Sequence, residues 1–571
     1  MNYAAILHRP VSEYCHGLDE KRIVYRLRCA RGDLKRVTLS YGDTACRVTP
    51  IIFTTLEMEL AASDAYHDYW QAVVESKYDR VYYYFTLYGG DGEWTYYYGD
   101  EFTKSLVDDR SEYFKLPINH RADIARIPDW ACNAIVYNIF PDSFASGPCY
   151  ISGKGSEARF DGQIVHGRLG GTLDGVAANA EYICRMGFNC VYLNPIFAAG
   201  EYHKYDTVDY MHVDPCFGGD EAMRRMVKAL HDKGIRVIID GVFNHCGWRF
   251  WAFEDVIRNQ QASRYRDWFY GLTFPLERPE DPEAYPGYVT YAYERMMPKL
   301  NTANPEVRDY FCGVGKHWIE AFDVDGWRLD VASEVDDGFW RAFRAAVKAA
   351  KADALLIGEI WETARHWLDG DMFDSTMNYD FRKHCRRFFA EGSLDAYGFA
   401  ARCADQLMRY KLQMPYAQMN LLDSHDVSRF LSVCGGDKRR YKLAVLFPMT
   451  FVGMPMLFYG DELGIDGVEE LDYRAPMPWS GGDAQLQNFV RRAIALRRER
   501  EELCRGSFRL VSAEKGSGLL VFERALNGGG TVICLNASDC SAEIGQRDRE
   551  IWSEGLNGMR LCPWGFAVFE K

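Results

Sequence analysis

The sequence of 571 residues predicts an α/β protein: a (β/α)8 TIM barrel with an inserted subdomain after its third strand, an N-terminal β-sandwich and a C-terminal all-β domain. Three observations support this architecture. Between residues 121 and 504, eight apolar segments alternate with helical patterns, which is the order that builds a parallel barrel. Before and after this region, short strand-like segments are separated by turn residues. Four of the eight apolar segments end in an acidic residue.

Residues 1–120 are predicted to form the β-sandwich. Alternating or continuous apolar residues mark the segments RIVYRLRCA, RVTLSY and RVYYYFTLY, and glycine-rich turns lie between such segments. Two tyrosine triplets, at 82–84 and 96–98, offer a sugar-stacking surface. Packing inside the sandwich is the expected use of about half of these tyrosines, because strands in a sandwich bury one face.

The barrel is predicted over residues 121–504. Its eight strand segments are AIVYNIF, NCVYLNP, IRVIID, DGWRLD, ALLIGEIW, FDSTMNY, MNLLDSHD and PMLFYGDE. Helical signals separate them, for example the Asn304-Pro305 start of a helix that leads into the fourth strand. Because Asp240 and Asp330 lie too far apart for a single βα unit, we predict an inserted subdomain at about 246–300. Beyond 505, the segments GLLVFER, GTVICLN and GFAVFEK predict the C-terminal β domain, 505–571.

Composition excludes several classes of partner. The net charge is −14 and no basic run occurs, so we expect neither nucleic acid nor a membrane as a partner, and a neutral substrate is unopposed. The 17 cysteines are scattered singly and form no CxxC pair, which is typical of reduced thiols in a cytoplasmic protein. The first twenty residues have no secretory pattern. The longest apolar stretch, 444–460, contains two prolines and is predicted to be a buried helix followed by a buried strand.

The four acidic strand ends are the candidate active site, because barrel enzymes work at the C-terminal ends of their strands. They are Asp240 in DGVFNH, Asp330 in WRLD, Glu359 in GEIW and Asp426 in LLDSHD. Each alone could be a helix cap or a member of an ion pair. Four at equivalent places favour glycosidic cleavage, in which one ionised acid attacks the anomeric carbon and a second, protonated acid donates to the leaving oxygen.

The neighbours of two acids predict different roles for them. Arg328 and Asp330 are one strand period apart and point the same way, so we expect Arg328 to keep Asp330 ionised, as suits a nucleophile. Glu359 lies in an apolar strand, which should raise its pKa toward that of a general acid. His245 and His425 are neighbours of two of the acids. No metal motif such as HExxH occurs, so we expect them to hydrogen-bond sugar hydroxyls.

These motifs resemble the four signature regions of the α-amylase family of glycoside hydrolases. The segments MPKLN (297–301) and HKYDTVDY (203–210) resemble the fifth region and the sugar-binding loop of its cyclomaltodextrinase, neopullulanase and maltogenic amylase subfamily. The resemblance implies that Asp330 is the nucleophile, Glu359 the acid/base and Asp426 a third acid that grips substrate hydroxyls. The substrate-binding residues that it implies are His203, Tyr205, Asp240, Asn244, His245, Arg328, Trp361, His425, Asp472 and Arg474.

The resemblance implies a retaining hydrolase that cleaves α-1,4-glucosidic bonds in cyclodextrins, pullulan and maltooligosaccharides. Two alternatives remain: an α-glucanotransferase or glucose-disaccharide isomerase on the same fold, and a non-catalytic member such as a transporter-associated subunit. MPKLN and the N-terminal sandwich favour the hydrolase, and the three acids argue against a non-catalytic member. Ser333 stands where the subfamily usually carries asparagine, which leaves open the balance between hydrolysis and transfer.

The resemblance also bears on metal and partner. Related enzymes bind calcium through an Asn/Asp cluster, but the segment DSFASGPCYISGKG (142–155) supplies only Asp142, and Thr172 stands where an aspartate often binds the ion. We therefore expect no metal and no other cofactor. In the subfamily, the N-terminal domain packs over the barrel mouth of a partner subunit and narrows the cleft, so a homodimer is expected. The alternative is that this domain is a tethered carbohydrate-binding module on a monomer.

Overall fold

Eight parallel strands form the central barrel. The computed structural model describes residues 1–151, 158–160, 163–165, 169–281 and 284–571. The barrel strands are Val136–Ile139, Cys190–Leu193, Arg236–Gly241, Gly326–Leu329, Leu355–Gly358, Ser375–Thr376, Met419–Leu421 and Met454–Phe458. Each neighbours the next around the sheet, and a parallel bridge between Met377 and Met419 joins the sixth strand to the seventh. All eight come from the predicted segments, and the predicted barrel is confirmed.

Helices surround this barrel and begin and end where local sequence favours it. The Asn304 side chain accepts a hydrogen bond from the backbone N–H of Glu306 (2.8 Å) and caps the helix Pro305–Phe322. Gly187, at a φ of 100°, ends another helix in the left-handed conformation. The helices from the first barrel strand to the last domain boundary are Pro141–Phe144, Leu173–Ala178, Ala180–Met186, Gly219–His231, Trp251–Asn259, Pro305–Phe322, Asp337–Ala350, Tyr379–Cys385, Ala396–Met408, Phe430–Val433, Lys438–Thr450, Glu470–Tyr473, Ala484–Glu499 and Glu501–Arg505.

The apolar stretch 444–460 forms parts of the helix Lys438–Thr450 and of the strand Met454–Phe458, both buried, as predicted. Within the residues that the structure describes, no helix has the length and apolar character needed to cross a membrane.

Two β domains flank the barrel. The N-terminal sandwich packs a sheet of Cys15–Gly17, Arg22–Ala30, Glu59–Ser63 and His67–Glu75 against a sheet of Arg36–Asp43, Thr54–Glu57, Val81–Tyr88, Trp94–Tyr98, Glu101–Thr103 and Phe114–Leu116. The C-terminal sheet contains Ser507–Ala513, Leu519–Leu526, Gly529–Asn536, Ala542–Glu543, Glu550–Asn557 and Arg560–Glu570. Two short hairpins project from the barrel region, formed by Ala158–Phe160 with Gln163–Val165 and by Phe197–Ala199 with Thr207–Val213.

Most of the tyrosine triplets are used inside the sandwich. Tyr83, Tyr84, Tyr97 and Tyr98 are buried, so the aromatic surface left for sugar or partner contact is smaller than the sequence suggests.

The sandwich is fixed to the barrel of its own chain by buried hydrogen bonds. The fully buried Arg26 donates from Nη1 to the carbonyl oxygens of Met408 (2.8 Å) and Tyr410 (2.9 Å). His16 Nε2 accepts from the backbone N–H of Leu412 (3.0 Å). Removing the sandwich would expose these groups, which makes its docking part of the stability of the barrel.

The chain between the third barrel strand and the helix Pro305–Phe322 forms an insertion at the rim of the barrel. Its two ends are held together, because Cys246 N–H donates to Pro298 O (3.1 Å) and Leu300 N–H donates to Asn244 O (3.0 Å). This pairing brings MPKLN beside the end of the third strand, so the insertion forms one wall above the acidic strand ends.

Candidate active site

A single buried guanidinium joins the four acidic strand ends. Arg328, with no solvent exposure, places Nη1 at 2.6 Å from Asp330 Oδ1 and 3.0 Å from Asp240 Oδ1. Its Nη2 lies 2.9 Å from Glu359 Oε1 and 3.8 Å from Asp426 Oδ2. The acids from four strands therefore converge at one point, and Arg328 and Asp330 point the same way, as the strand period predicts.

The acids lie at the bottom of an open cavity of about 500 Å³. The residues that line it are His203, Tyr205, His245, Tyr291, Glu294, Met296, Met297, Asp330, Glu359, Trp361, Asp426, Glu470 and Arg474. Four other predicted site residues, Asp240, Asn244, Arg328 and His425, are fully buried and support the lining residues from below.

Burial and mutual repulsion set the charge state of the acids. Burial and the nearby Glu359 carboxyl raise the pKa of Asp330 well above its usual range, although Arg328 acts in the opposite direction. Arg328 lowers this pKa, as predicted, but its effect is outweighed by burial and by Glu359, because one guanidinium is shared among four carboxyls in a site with little solvent. The same two causes raise the pKa of Asp426 to about 7. Protons are therefore retained in the acid cluster near neutral pH.

The surroundings of Glu359 are polar. Its Oε1 is paired with Arg328 and accepts a hydrogen bond from Trp361 Nε1 (3.1 Å). Its Oε2 accepts from the backbone N–H of Val331 (2.9 Å), a β-branched residue in the left-handed conformation with a φ of 44°. The predicted apolar environment is wrong because the apolar strand ends at Gly358 and Glu359 lies just beyond it, where polar groups converge.

His425 is a neutral hydrogen-bonding group beneath the cavity. Burial lowers its pKa well below the usual range. Its Nδ1 lies 2.7 Å from Asn194 Nδ2 and accepts that amide's hydrogen, while Nε2 lies 3.1 Å from Asp426 Oδ1. The ring also stacks on Tyr205 at 5.5 Å and hydrogen-bonds its hydroxyl, which donates to Asp240 (3.1 Å). Asn194 was not predicted, although it follows the second barrel strand directly.

The insertion contributes lining residues for which the sequence offered little signal. Tyr291 stacks on His245 at 4.8 Å, and burial lowers the pKa of His245 to about 3. Burial likewise lowers the pKa of His203, to about 4, so both rings are neutral hydrogen-bonding groups. Asn244 accepts a hydrogen bond from Lys299 of the MPKLN segment. The motif led to Met297, but Tyr291 lies upstream of any motif.

Of the two residues predicted for the outer part of the site, Arg474 lines the cavity and Asp472 does not. Arg474 lines the cavity and donates to Glu470 and to the Tyr202 hydroxyl, whereas Asp472 is exposed and lies outside the lining. Glu470 and Arg474 are four residues apart across the short helix Glu470–Tyr473, so they share a face, whereas Asp472 points elsewhere. Glu470 therefore takes the place that the sequence assigned to Asp472.

Two side chains at the places where related enzymes bind calcium form hydrogen bonds with backbone N–H groups instead. The buried Asp142 carboxylate accepts hydrogen bonds from the N–H groups of Leu169 (2.8 Å) and Gly170 (3.0 Å). The Thr172 hydroxyl accepts from Gly175 N–H (3.0 Å) and caps a helix. Residues 152–155 lie outside the described residues. In the described ranges, no group of three or more His, Cys, Asp or Glu side chains could hold a metal ion.

Comparison with known proteins assigns the chain to a family. Residues 138–505 match the family model described as "Alpha amylase, catalytic domain", and residues 1–120 match "Alpha amylase, N-terminal ig-like domain". The chain belongs to the alpha-amylase family. It is therefore a glycoside hydrolase, and both the predicted family and the predicted enzyme class are confirmed.

Individual relatives narrow the likeness within this alpha-amylase family. The chain is 41% identical over 548 residues to a cyclomaltodextrinase of Geobacillus thermopakistaniensis (strain MAS1), covering 95% of this chain and 92% of that protein. It is 40% identical over 537 residues to neopullulanase 2 of Thermoactinomyces vulgaris, covering 93% and 90%. A solved cyclomaltodextrinase structure superimposes with a TM-score of 0.90 at 33% identity, covering 100% of this chain and 98% of that one.

The raised pKa of Asp426 predicts a pH-dependent stability change. An unfolded aspartate has a pKa of about 4, so the folded protein binds this proton more tightly, and ionising Asp426 as the pH rises from about 4 to 7 destabilises the fold. Asp426→Asn removes that charge. We expect it to raise the free energy of unfolding by up to about 4 kcal/mol at pH 8 and by less than about 2 kcal/mol at pH 5.

Thermal melting at the two pH values tests this expectation. Asp472→Asn, at an exposed acid, is the matched control and should change neither melting temperature. An equal effect of Asp426→Asn at both pH values would contradict the prediction.

Proposed function

We propose that the protein is a retaining α-glucan hydrolase that cleaves α-1,4-glucosidic bonds, with Asp330 as nucleophile and Glu359 as acid/base. The placement of both carboxyls on adjacent nitrogens of Arg328 carries this proposal. Two carboxyls held side by side in this way suit the separation of about 5 Å that retaining glycosidases use.

The electrostatics of the site suit the same chemistry. The clustered carboxyls stabilise positive charge in the site. When no sugar is bound, retained protons supply that charge. In cleavage the sugar ring itself develops positive charge, so an oxocarbenium-like transition state takes over the role of the retained protons. When Glu359 has given its proton to the leaving oxygen, Arg328, Trp361 Nε1–H and Val331 N–H remain to stabilise the carboxylate.

The remaining residues fit substrate binding. Asp426, Arg474 and the neutral His203 and His245 face the cavity and can hydrogen-bond sugar hydroxyls, and Tyr205 offers a ring beside the acids. The names of the relatives, cyclomaltodextrinase and neopullulanase, support cyclodextrins, pullulan and maltooligosaccharides as substrates. A cytoplasmic location is part of the proposal, and the 17 free cysteines support it.

Replacing the nucleophile tests the mechanism. Asp330→Asn keeps the shape of the site but removes the attacking charge, so we expect kcat to fall by roughly 10⁴-fold while maltooligosaccharide still binds. Proton NMR of the first product of the wild-type protein should show the α-anomer. Asp472→Asn is the control and should retain activity. A β-anomer as first product would show that the enzyme inverts.

We also propose that the enzyme needs no calcium or other cofactor. The engagement of Asp142 and Thr172 by backbone N–H groups supports this, since calcium prefers six to eight oxygen ligands, several of them carboxylates. Treatment with EDTA should leave the melting temperature and the rate nearly unchanged. A drop of several degrees, restored by added calcium, would contradict the proposal.

Finally, we propose that the protein is a homodimer in which the sandwich of one subunit narrows the cavity mouth of the other. The subfamily likeness and the exposed apolar side chains of the sandwich, including Ile52 at 71% and Tyr66 at 74%, support this. A narrowed cleft admits a small ring or a short oligomer and excludes a bulky starch chain.

Deletion of residues 1–120 tests the dimer. We expect the truncated protein to be monomeric by light scattering and to shift its preference from β-cyclodextrin toward soluble starch. Because the deletion also removes the Arg26 contacts, its fold should be checked by circular dichroism first. A monomeric full-length protein, or a folded truncation with an unchanged substrate ratio, would contradict the proposal.

A further inference from the structure

The half-exposed indole of Trp361 contacts Glu359, the proposed proton donor. Trp361 is half exposed at 50%, yet its Nε1–H donates to Glu359 Oε1 at 3.1 Å, the same oxygen that Arg328 approaches from below at 2.9 Å. Arg328 is fixed by its buried ion pairs, whereas an exposed tryptophan has rotamers that would carry Nε1 away from the carboxyl. Something must therefore hold the indole in place.

Tyr379 supplies that support. Its ring lies parallel to the Trp361 indole, with 3.7 Å between ring centroids and 9° between planes. Tyr379 is only 5% exposed and belongs to the apolar cluster inside the barrel that includes Ile357 and Met377. It begins the helix Tyr379–Cys385, whose first turn is capped by a side chain from the preceding residue. The buried Tyr379 ring is therefore held rigidly, and the exposed Trp361 indole stacks against it.

We propose that Tyr379 is a positioning residue that acts through Trp361 to hold Glu359 Oε1 in the orientation from which its carboxyl protonates the leaving sugar oxygen. This inference rests on the proposed hydrolase function. It goes further by assigning a task to a residue that lies outside the cavity lining and outside the predicted site.

The assigned task concerns one step. In that step the bond between the anomeric carbon and the glycosidic oxygen breaks, Asp330 forms a bond to the anomeric carbon, and the Glu359 proton passes to the departing oxygen. A departing sugar alkoxide needs this proton, whereas a departing fluoride needs little proton donation. Misorienting Glu359 should therefore slow cleavage of a maltooligosaccharide far more than cleavage of a maltosyl fluoride.

Two variants separate the contribution of the Trp361 N–H donor from that of the Tyr379 ring. Trp361→Phe keeps a ring on Tyr379 but removes the N–H donor, and Tyr379→Leu keeps the donor but removes its platform. For both variants we expect kcat/KM, which reports the first bond-breaking step, to fall by about 10- to 100-fold on maltotriose and by less than about threefold on α-maltosyl fluoride. Tyr379→Phe retains the stacked ring and should retain the wild-type ratio between the two substrates.

A third variant controls for general damage to the barrel. Phe399, 1% exposed, stacks on Phe388 at 4.4 Å and 10°, far from the acids in the chain and outside the cavity lining. Phe399→Leu should lower the melting temperature yet keep the wild-type ratio of the two rates, so it shows what a purely structural loss does.

The ratio of rates decides the outcome. An equal fall in kcat/KM on both substrates in Trp361→Phe and Tyr379→Leu would overturn the inference, because a loosened fold would act on both substrates alike. A fall on maltotriose in Tyr379→Leu but not in Trp361→Phe would also overturn it, because Trp361→Phe keeps a ring on which a leaving sugar could stack. A wild-type protein that cleaves neither substrate would instead contradict the proposed function.

Discussion

The buried charge of Arg328 is the constraint on which the site depends. A guanidinium with no solvent exposure is costly unless carboxylates surround it, and here four strands each contribute one. The barrel register makes this arrangement possible, since Asp240 pairs directly with Arg328 across the third and fourth strands. The fourth and fifth strands approach so closely that a Cβ at Gly326 would lie 2.4 Å from the Leu355 carbonyl oxygen. A glycine is required there, or the register of the acids would shift.

The same constraint explains why the site destabilises the fold. One arginine cannot neutralise four carboxyls, so burial and repulsion raise the pKa of Asp330, Asp240 and Asp426. The site stores unfavourable energy that a positively charged transition state can relieve. Histidines within it are driven to the neutral form by burial, so they contribute hydrogen bonds without adding charge.

Around the buried acids at the strand ends, the shape of the cavity is set by segments outside the barrel strands. The insertion contributes Tyr291 and its neighbours, and the short helix Glu470–Tyr473 aligns Glu470 with Arg474. The orientation of Glu359 depends on groups from three directions: Arg328 below, Val331 N–H at one side and Trp361 above. The shape of the cavity and the orientation of Glu359 therefore depend on loops that pack on a rigid core.

The sequence by itself determined the barrel and its two β domains, because apolar segments and the turns or helices between them are local signals. It indicated the family through the resemblance of its motifs, and the convergence of the four acids through their places at strand ends. It did not determine the charge state of Asp330, since that depends on how many carboxyls share Arg328. It could not place Glu359 among polar donors, because Arg328 and the Val331 N–H come from the neighbouring strand and its end, and the Trp361 indole lies stacked on Tyr379. It chose Asp472 over Glu470, since the face of a four-residue helix depends on its packing. These features were decided by tertiary structure, because each arises from groups distant in sequence that share a low-dielectric space.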